Sequence, residues 1–288
     1  MAGHGTSSGN TAHGDAALGT PHIGVFDTGI GGLSVLRALR RQLPAARCTY
    51  LADSRFNPWG ERPADWVVAR SLQLAAWLIE RKQVDLVLMA CNTATTQAIA
   101  ALRARWPERP FVGVEPGIKP AVAATRCGQV AVMATPGTLA SPRVANLIEQ
   151  HAGGAQVHRV PCPGLADAIE TEPPESPRLA ALLDRFAAEL QATGSDTVAL
   201  GCTHYPLVAD GLAARLPAGV QLIDTAEAVS RRVASLLPVA ARAPGADGTP
   251  GALRLLATGD PALLQQAARR WVQPDAQAEA LALPDLPG

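Results

Sequence analysis

From residue 22 onward, short apolar runs that end in small or polar residues alternate with stretches whose apolar residues recur at helical spacing. The first run is His22-Ile23-Gly24-Val25-Phe26. It closes in Asp27-Thr28-Gly29-Ile30-Gly31-Gly32 and is followed by Leu33, Leu36, Leu39 and Leu43. Similar runs occupy 85–90, 110–114, 129–134, 197–201, 220–223 and 253–257, and a further helix is expected over Pro261–Trp271. Near-continuous apolar strands followed by amphipathic helices predict an α/β protein with mainly parallel sheets flanked by helices. Residues 172–177 (Glu-Pro-Pro-Glu-Ser-Pro) and 243–251 are too rich in Pro and Gly for element interiors and read as loops. Residues 1–21 are rich in Gly, Ala, Ser, Thr and His, with no apolar stretch behind a basic start. They read as a disordered extension and not as a signal peptide.

A weak internal repeat divides the chain. Asp85 lies six residues before Cys91, and Asp196 lies six residues before Cys202, with a strand-like run between each pair. Each cysteine is preceded, at nearly equal spacing, by a strand ending in a Gly-containing polar turn, Asp27-Thr28-Gly29 or Thr135-Pro136-Gly137-Thr138. Each is followed by a strand that ends in an acid, Glu115 or Asp224. Two similar α/β domains are expected, 22–116 plus 226–273 carrying Cys91 and 117–225 carrying Cys202, with 274–288 as a tail. Parallel sheets bind ligands at the carboxyl ends of their strands. Two halves with those ends facing inward bring both cysteines into one interdomain cleft.

Composition narrows the chemistry. The 288 residues are 48% hydrophobic and 17% charged, enough for one large core or two ordinary ones. The 25 Lys and Arg balance the 25 Asp and Glu, so the charge footprint of a nucleic-acid binder or a polybasic membrane anchor is missing, and small polar partners remain. No apolar run approaches the length of a membrane span. Five cysteines without a C-x-x-C spacing indicate neither a disulfide framework nor a ribbon-type zinc site, and a reducing, cytoplasmic setting is expected. Lys82 and Lys119, the two lysines, sit in unattractive contexts for a Schiff base, so no cofactor of that kind is expected, and the cysteine spacing gives no reason to expect a metal.

Cys91-Asn92-Thr93 and Cys202-Thr203-His204 each put a thiol at an expected strand-to-helix turn. Free backbone N–H groups and the helix dipole there lower a thiol's pKa and hold carboxylates. Thr93 and Thr203 also fit as helix N-caps, His204 can relay protons for Cys202, and Asp27 can accept from an ammonium group, orient a thiol or simply form the turn. Cys48, Cys127 and Cys162 read as ordinary buried thiols. The glycines of the first turn invite a dinucleotide reading, but the fingerprint is incomplete, Gly29-x-Gly31-x-x-Ser34.

The segments Ile23–Gly32, Ala90-Cys-Asn-Thr-Ala94 and Leu200-Gly-Cys-Thr-His-Tyr-Pro206 closely resemble the glutamate racemases of the aspartate/glutamate racemase superfamily, over about residues 22 to 273. The resemblance implies cofactor-independent interconversion of L- and D-glutamate, supplying the D-isomer for peptidoglycan, in a cleft between two α/β domains. It makes Cys91 and Cys202 the acid-base pair, with Asp27 assisting Cys91, and His204 and Glu170 near Cys202. Asp27, Thr28, Pro58, Trp59, Gly60, Asn92, Thr93, Thr135, Thr138, Thr203 and His204 would then contact the substrate, and a homodimer is left open. The chain departs from the usual pattern in Thr28 for Ser, Trp59 for Tyr and Val144 for Tyr. Three other readings stand beside this one. They are a superfamily member acting on aspartate or a related acid, a cysteine hydrolase using Cys202 with His204, and a non-catalytic nucleotide binder built on the Gly-rich turn.

Overall fold

The computed structural model describes residues 20–237 and 249–286. The chain runs β1 (His22–Asp27), α1 (Leu33–Gln42), β2 (Arg47–Ala52), α2 (Ala64–Lys82), β3 (Leu86–Met89), α3 (Asn92–Arg105) and β4 (Phe111–Gly113). It continues α4 (Ile118–Ala124), β5 (Gln129–Ala134), α5 (Pro136–Leu139), α6 (Pro142–His151), β6 (Gln156–Pro161), α7 (Leu165–Thr171), α8 (Pro177–Ala192), β7 (Thr197–Leu200), α9 (Ala209–Ala213) and β8 (Gln221–Ile223). It then returns through α10 (Ala226–Leu236), β9 (Leu253–Ala257), α11 (Pro261–Trp271) and β10 (Ala278–Ala280).

Two parallel sheets result, ordered β10-β9-β2-β1-β3-β4 and β6-β5-β7-β8. The expected α/β fold with two similar halves is therefore present, and the order β2-β1-β3-β4 repeats as β6-β5-β7-β8. Successive strand residues serve opposite faces. Leu86 and Leu88 join the core under α1, α10 and α11, whereas Val87 and Met89 join the core under α2 and α3. In the second sheet Met133 and Leu200 pack with α7 and α8, while Val132 and Ala199 pack with α4 and α6.

Local chemistry explains several helix starts. Thr135, Ser141, Ser176 and Asp260 each cap a helix with a side-chain oxygen, and each is followed by a proline at the first helical position, where the missing N–H costs nothing. The repeated aspartates prove to be anchors at the other end of the sheets. Asp85 accepts from the His22 N–H at the start of β1, and Asp196 accepts from the Arg126 and Cys127 N–H groups just before β5. The six-residue interval is thus the length of a strand, aspartate at one end and thiol at the other.

Several expectations need correction. Pro21 is buried and its carbonyl accepts from Arg47 N–H, so order begins before residue 22; residues 1–19 of the expected extension lie outside the described residues. The expected loop 243–251 is described from 249 onward. The segment from 274 is not merely a tail, because Ala278–Ala280 pairs in parallel with β9. Strands β2 and β6 were not anticipated, the first because Thr49 and Tyr50 interrupt its apolar run, the second because it is a largely exposed edge strand.

Candidate active site

In each half a sheet reverses its winding between two strands, β1 and β3 in one and β5 and β7 in the other, which is where open parallel sheets form a crevice. Cys91 follows β3 and Cys202 follows β7, and the two thiols line one buried cavity at the seam between the halves. Thr28, Pro58, Trp59 and Gly60 form part of its wall, as do Asn92, Thr93, Thr135, Thr203 and His204. Asn57 and Ala166 also line it, and sequence reasoning had not singled them out. The cavity measures about 20 Å³, room for roughly one water.

Asp27, Glu170 and Thr138 stand one layer behind that wall. Asp27 is fully buried and accepts from Gly29 N–H at 2.8 Å and from the Thr203 hydroxyl, on the opposite half, at 2.9 Å. Burial pushes its carboxyl up to about 6, against the opposing influence of His204 and the hydrogen bonds from Gly29 and Thr203. Glu170 crosses the seam in the other sense. Its Oε2 lies 2.7 Å from His204 Nε2 and accepts from Ile30 N–H at 2.9 Å. Thr138 Oγ1 closes a triangle of hydroxyls with Thr93 and Thr135, all within 3.1 Å, again joining the two halves. Ser34, buried and not anticipated, lies 3.3 Å from the Thr203 carbonyl.

The thiols have different surroundings. Cys91 is the N-cap of α3, its Sγ accepting from Ala94 N–H at 3.4 Å. The expected lowering of its pKa is not found. Burial pushes the thiol well up, the nearby Asp27 carboxylate adds to this, and the Ala94 and Thr93 N–H groups offset only part. Cys202 is not at a helix start, since a single 3-10 turn over Tyr205–Val208 follows it and α9 begins at Ala209. Its neighbour is His204, whose Nδ1 lies 3.8 Å from Sγ. Burial opposes the imidazolium, yet contact with Cys202 and Glu170 raises the ring well above the ordinary histidine value. Thr93 and Thr203 are not caps; both spend their hydroxyls on bonds across the seam.

Gly29 and Gly31 owe their identity to this seam. A Cβ at Gly29 would strike the Glu170 carboxylate, and one at Gly31 would strike the His204 ring. The Gly-rich turn is therefore filled by protein groups and not shaped for a pyrophosphate. Trp59 is buried, meets Trp66 edge-on at 5.5 Å and leaves its Nε1–H without a partner. Val144, on α6, is buried and does not line the cavity. A larger cavity of about 790 Å³ reaches Glu170 from the other side, between the 172–175 loop and α11, and contains neither thiol. Among the described residues no group of His, Cys, Asp or Glu is arranged to hold a metal ion, and no helix is long and apolar enough to cross a membrane.

Two thiols on one cavity between two parallel-sheet halves mark the class of protein, and the family model for Asp/Glu/Hydantoin racemase matches residues 23–233. The chain belongs to that family. Within it, the glutamate racemase of Ectopseudomonas mendocina is 44% identical over 266 residues, covering 92% of this chain and 94% of the relative. That of Pseudomonas aeruginosa strain PAO1 is 46% identical over 221 residues, covering 77% and 83%. Among solved structures, Escherichia coli glutamate racemase in complex with L-glutamate and the activator UDP-MurNAc-Ala superimposes with a TM-score of 0.80 at 31% identity, covering 92% of this chain and 99% of that one. The Francisella tularensis enzyme in complex with D-glutamate gives 0.77 at 25% identity, covering 91% and 98%.

Proposed function

We propose that this protein interconverts L- and D-glutamate by moving protons between Cα and two cysteines, supplying D-glutamate for peptidoglycan. The observation that carries this reading is that Cys91 and Cys202, from equivalent strand ends of two separate sheets, face one cavity. A Cα–H is a very weak acid, so its removal needs a strong base at contact distance and stabilisation of the carboxylate as it becomes enediolate-like. One thiolate takes the Cα proton, the electron pair delocalises into the substrate carboxylate, and the opposite thiol returns its own proton to the other face. The enzyme is left with thiol and thiolate exchanged.

Burial makes the Cys91 thiolate a strong base once it forms, and Asp27 beside it can hold a proton near neutral pH. His204, paired with Glu170, serves Cys202 in the same capacity. The unpartnered Asn92 Oδ1 on the cavity wall accepts from the substrate ammonium, and the Thr93–Thr135–Thr138 hydroxyl triangle opens to turn a proton from Thr93 or Thr135 toward a substrate carboxylate oxygen. A cavity of about 20 Å³ is far below the roughly 300 Å³ at which small-molecule pockets begin, so the halves part to admit substrate and close to exclude water.

The Cys202–His204–Glu170 chain also has the form of a hydrolase triad. That reading leaves Cys91 without a role. Circular dichroism with each pure enantiomer of glutamate and of aspartate, with no cofactor added, tests the assignment. Loss of optical activity with glutamate, far slower with aspartate, is expected. Equal or better activity with aspartate overturns the substrate, and activity only after pyridoxal phosphate is added overturns the mechanism.

A further inference from the structure

The wall residues Asn57, Pro58, Trp59 and Gly60 ride on a short segment that leaves β2 at Asp53. Asp53 and Arg70, on α2, are both fully buried. Arg70 donates from Nε to Asp53 Oδ2 at 2.9 Å and from Nη2 to Oδ1 at 2.6 Å, a two-point pairing that also fixes the carboxylate plane. Thr258 Oγ1 donates to the same carboxylate at 2.9 Å, and Asp53 N–H donates to the Asp27 carbonyl. A buried charge pair is tolerated when its remaining valences are met. Here the last guanidinium nitrogen, Nη1, reaches Gln73 Oε1 at 2.6 Å and the carbonyl of Pro284 at 2.9 Å, and Gln73 Nε2 donates to that carbonyl at 3.0 Å.

Pro284 belongs to a stretch that leaves β10 and crosses the outside of the first half. Leu281 N–H donates to Ala257 O, Leu281 and Leu283 pack against the apolar cluster of α2 and α3, and Asp285 pairs with Arg55. Phe56 lies under the Arg70 guanidinium at 4.4 Å and beside Trp66, on which Trp59 also rests. One guanidinium thus touches the start of the cavity segment, its middle and the chain from β10.

We propose that residues 281–286 form a strap that, through Arg70 and Gln73, sets the position of the segment carrying Pro58, Trp59 and Gly60, so that residues remote from the cavity govern how well substrate binds. This rests on the cavity being the glutamate site. Arg70 and Gln73 are positioning residues, since neither lines the cavity.

Gln73→Leu keeps the Arg70–Asp53 pair and removes one of the two donors that hold the Pro284 carbonyl, Arg70 Nη1 being the other, and Leu283→Ala loosens the strap without touching the pair. Hydrogen–deuterium exchange needs no activity, so it reads the strap even if the substrate reading fails. In both variants the amides of 54–61 should exchange about tenfold faster, with β1 and β3 unchanged. In parallel, KM for glutamate should rise about 3- to 10-fold with kcat within about twofold of the parent. Exchange that is unchanged at 54–61, or that rises equally throughout the first sheet, overturns the strap. Faster exchange with an unaltered KM overturns its role in binding. A parent protein that shows no racemisation overturns the substrate reading and leaves the exchange result to decide the strap.

Discussion

The two cysteines occupy equivalent positions in a repeated four-strand unit, yet their surroundings are not repeated. Cys91 caps a long helix, takes a hydrogen bond from its backbone and has a buried carboxylate, Asp27, for company. Cys202 precedes a single 3-10 turn and has an imidazole, His204, held by Glu170. The backbone repeat thus supplies two thiol stations on one cavity, and local side chains surround each differently. The auxiliaries are also interlocked. Asp27 bonds Thr203 from the Cys202 half, and Glu170 bonds the Ile30 N–H of the Cys91 half. The seam between the halves therefore builds both stations together.

The comparison predicts a graded set of effects. Cys91→Ser and Cys202→Ser should each depress kcat/KM by about 10²- to 10⁴-fold, because a hydroxyl is a far poorer acid than a thiol. Enantiomers have equal free energies, so the fall must be the same from L- and from D-glutamate, which polarimetry in both directions checks. If Cys91→Ser keeps full activity and Cys202→Ser has none, the paired stations are abandoned for the hydrolase reading.

Asp27→Asn comes next, with an expected loss of about 100-fold in activity and a gain in stability. The sign follows from linkage. Burial raises the folded carboxyl from 3.8 to about 6, so the native state binds the extra proton between those values, and the cost of the buried charge develops as pH rises through about 6. The variant should therefore melt higher than the parent at pH 8, with the difference shrinking as pH falls toward 4. A variant that melts lower at pH 8 would show that the hydrogen bonds to Asp27 outweigh its desolvation.

His204→Asn should cost more than Glu170→Gln, about tenfold for the latter, because the amide still accepts from Ile30 N–H while the ring loses only its charged partner. An equal loss would mean that the pair acts as one unit. The smallest effects are expected at Cys48, Cys127 and Cys162. Serine at exposed Cys127 should change stability by less than about 0.5 kcal/mol. Serine at buried Cys48 or Cys162 should cost about 1–3 kcal/mol for burying a hydroxyl, which the nearby Ala46 or Val160 carbonyl offsets only in part. All three should retain most activity in the polarimetric assay.

Much of this organisation was legible in the sequence because it depends on local order. β5, β9 and α11 match their apolar runs at both ends, where Gly, Pro or capping residues cut the pattern. The Asp-to-Cys interval and the paired polar turns exposed the repeat, since a parallel strand has a fixed length and a fixed exit. The rest depends on contacts between distant residues. Glu170 has no local signal, because the helix and the turn that bring it to His204 within the second half are 34 residues apart, and the pair meets the other half only where Gly29 and Gly31 leave it room. Arg70 has no local signal either, and its burial follows from Asp53, Phe56 and Pro284 converging on it. The thiol environments were misjudged for the same reason. A strand-to-helix turn suggests an acidified thiol, but full burial of Cys91 beside a carboxylate reverses the direction.

The claim that two stations act on opposite faces of one carbon is tested most directly by following solvent hydrogen. Each thiol carries one proton that exchanges with solvent between turnovers, so in deuterated water L-glutamate should give D-glutamate deuterated at Cα, while the L-glutamate remaining at early times stays protiated. Deuterium appearing in recovered L-glutamate as fast as in product, or product that retains the original hydrogen, would mean that a single base serves both faces and would contradict the account.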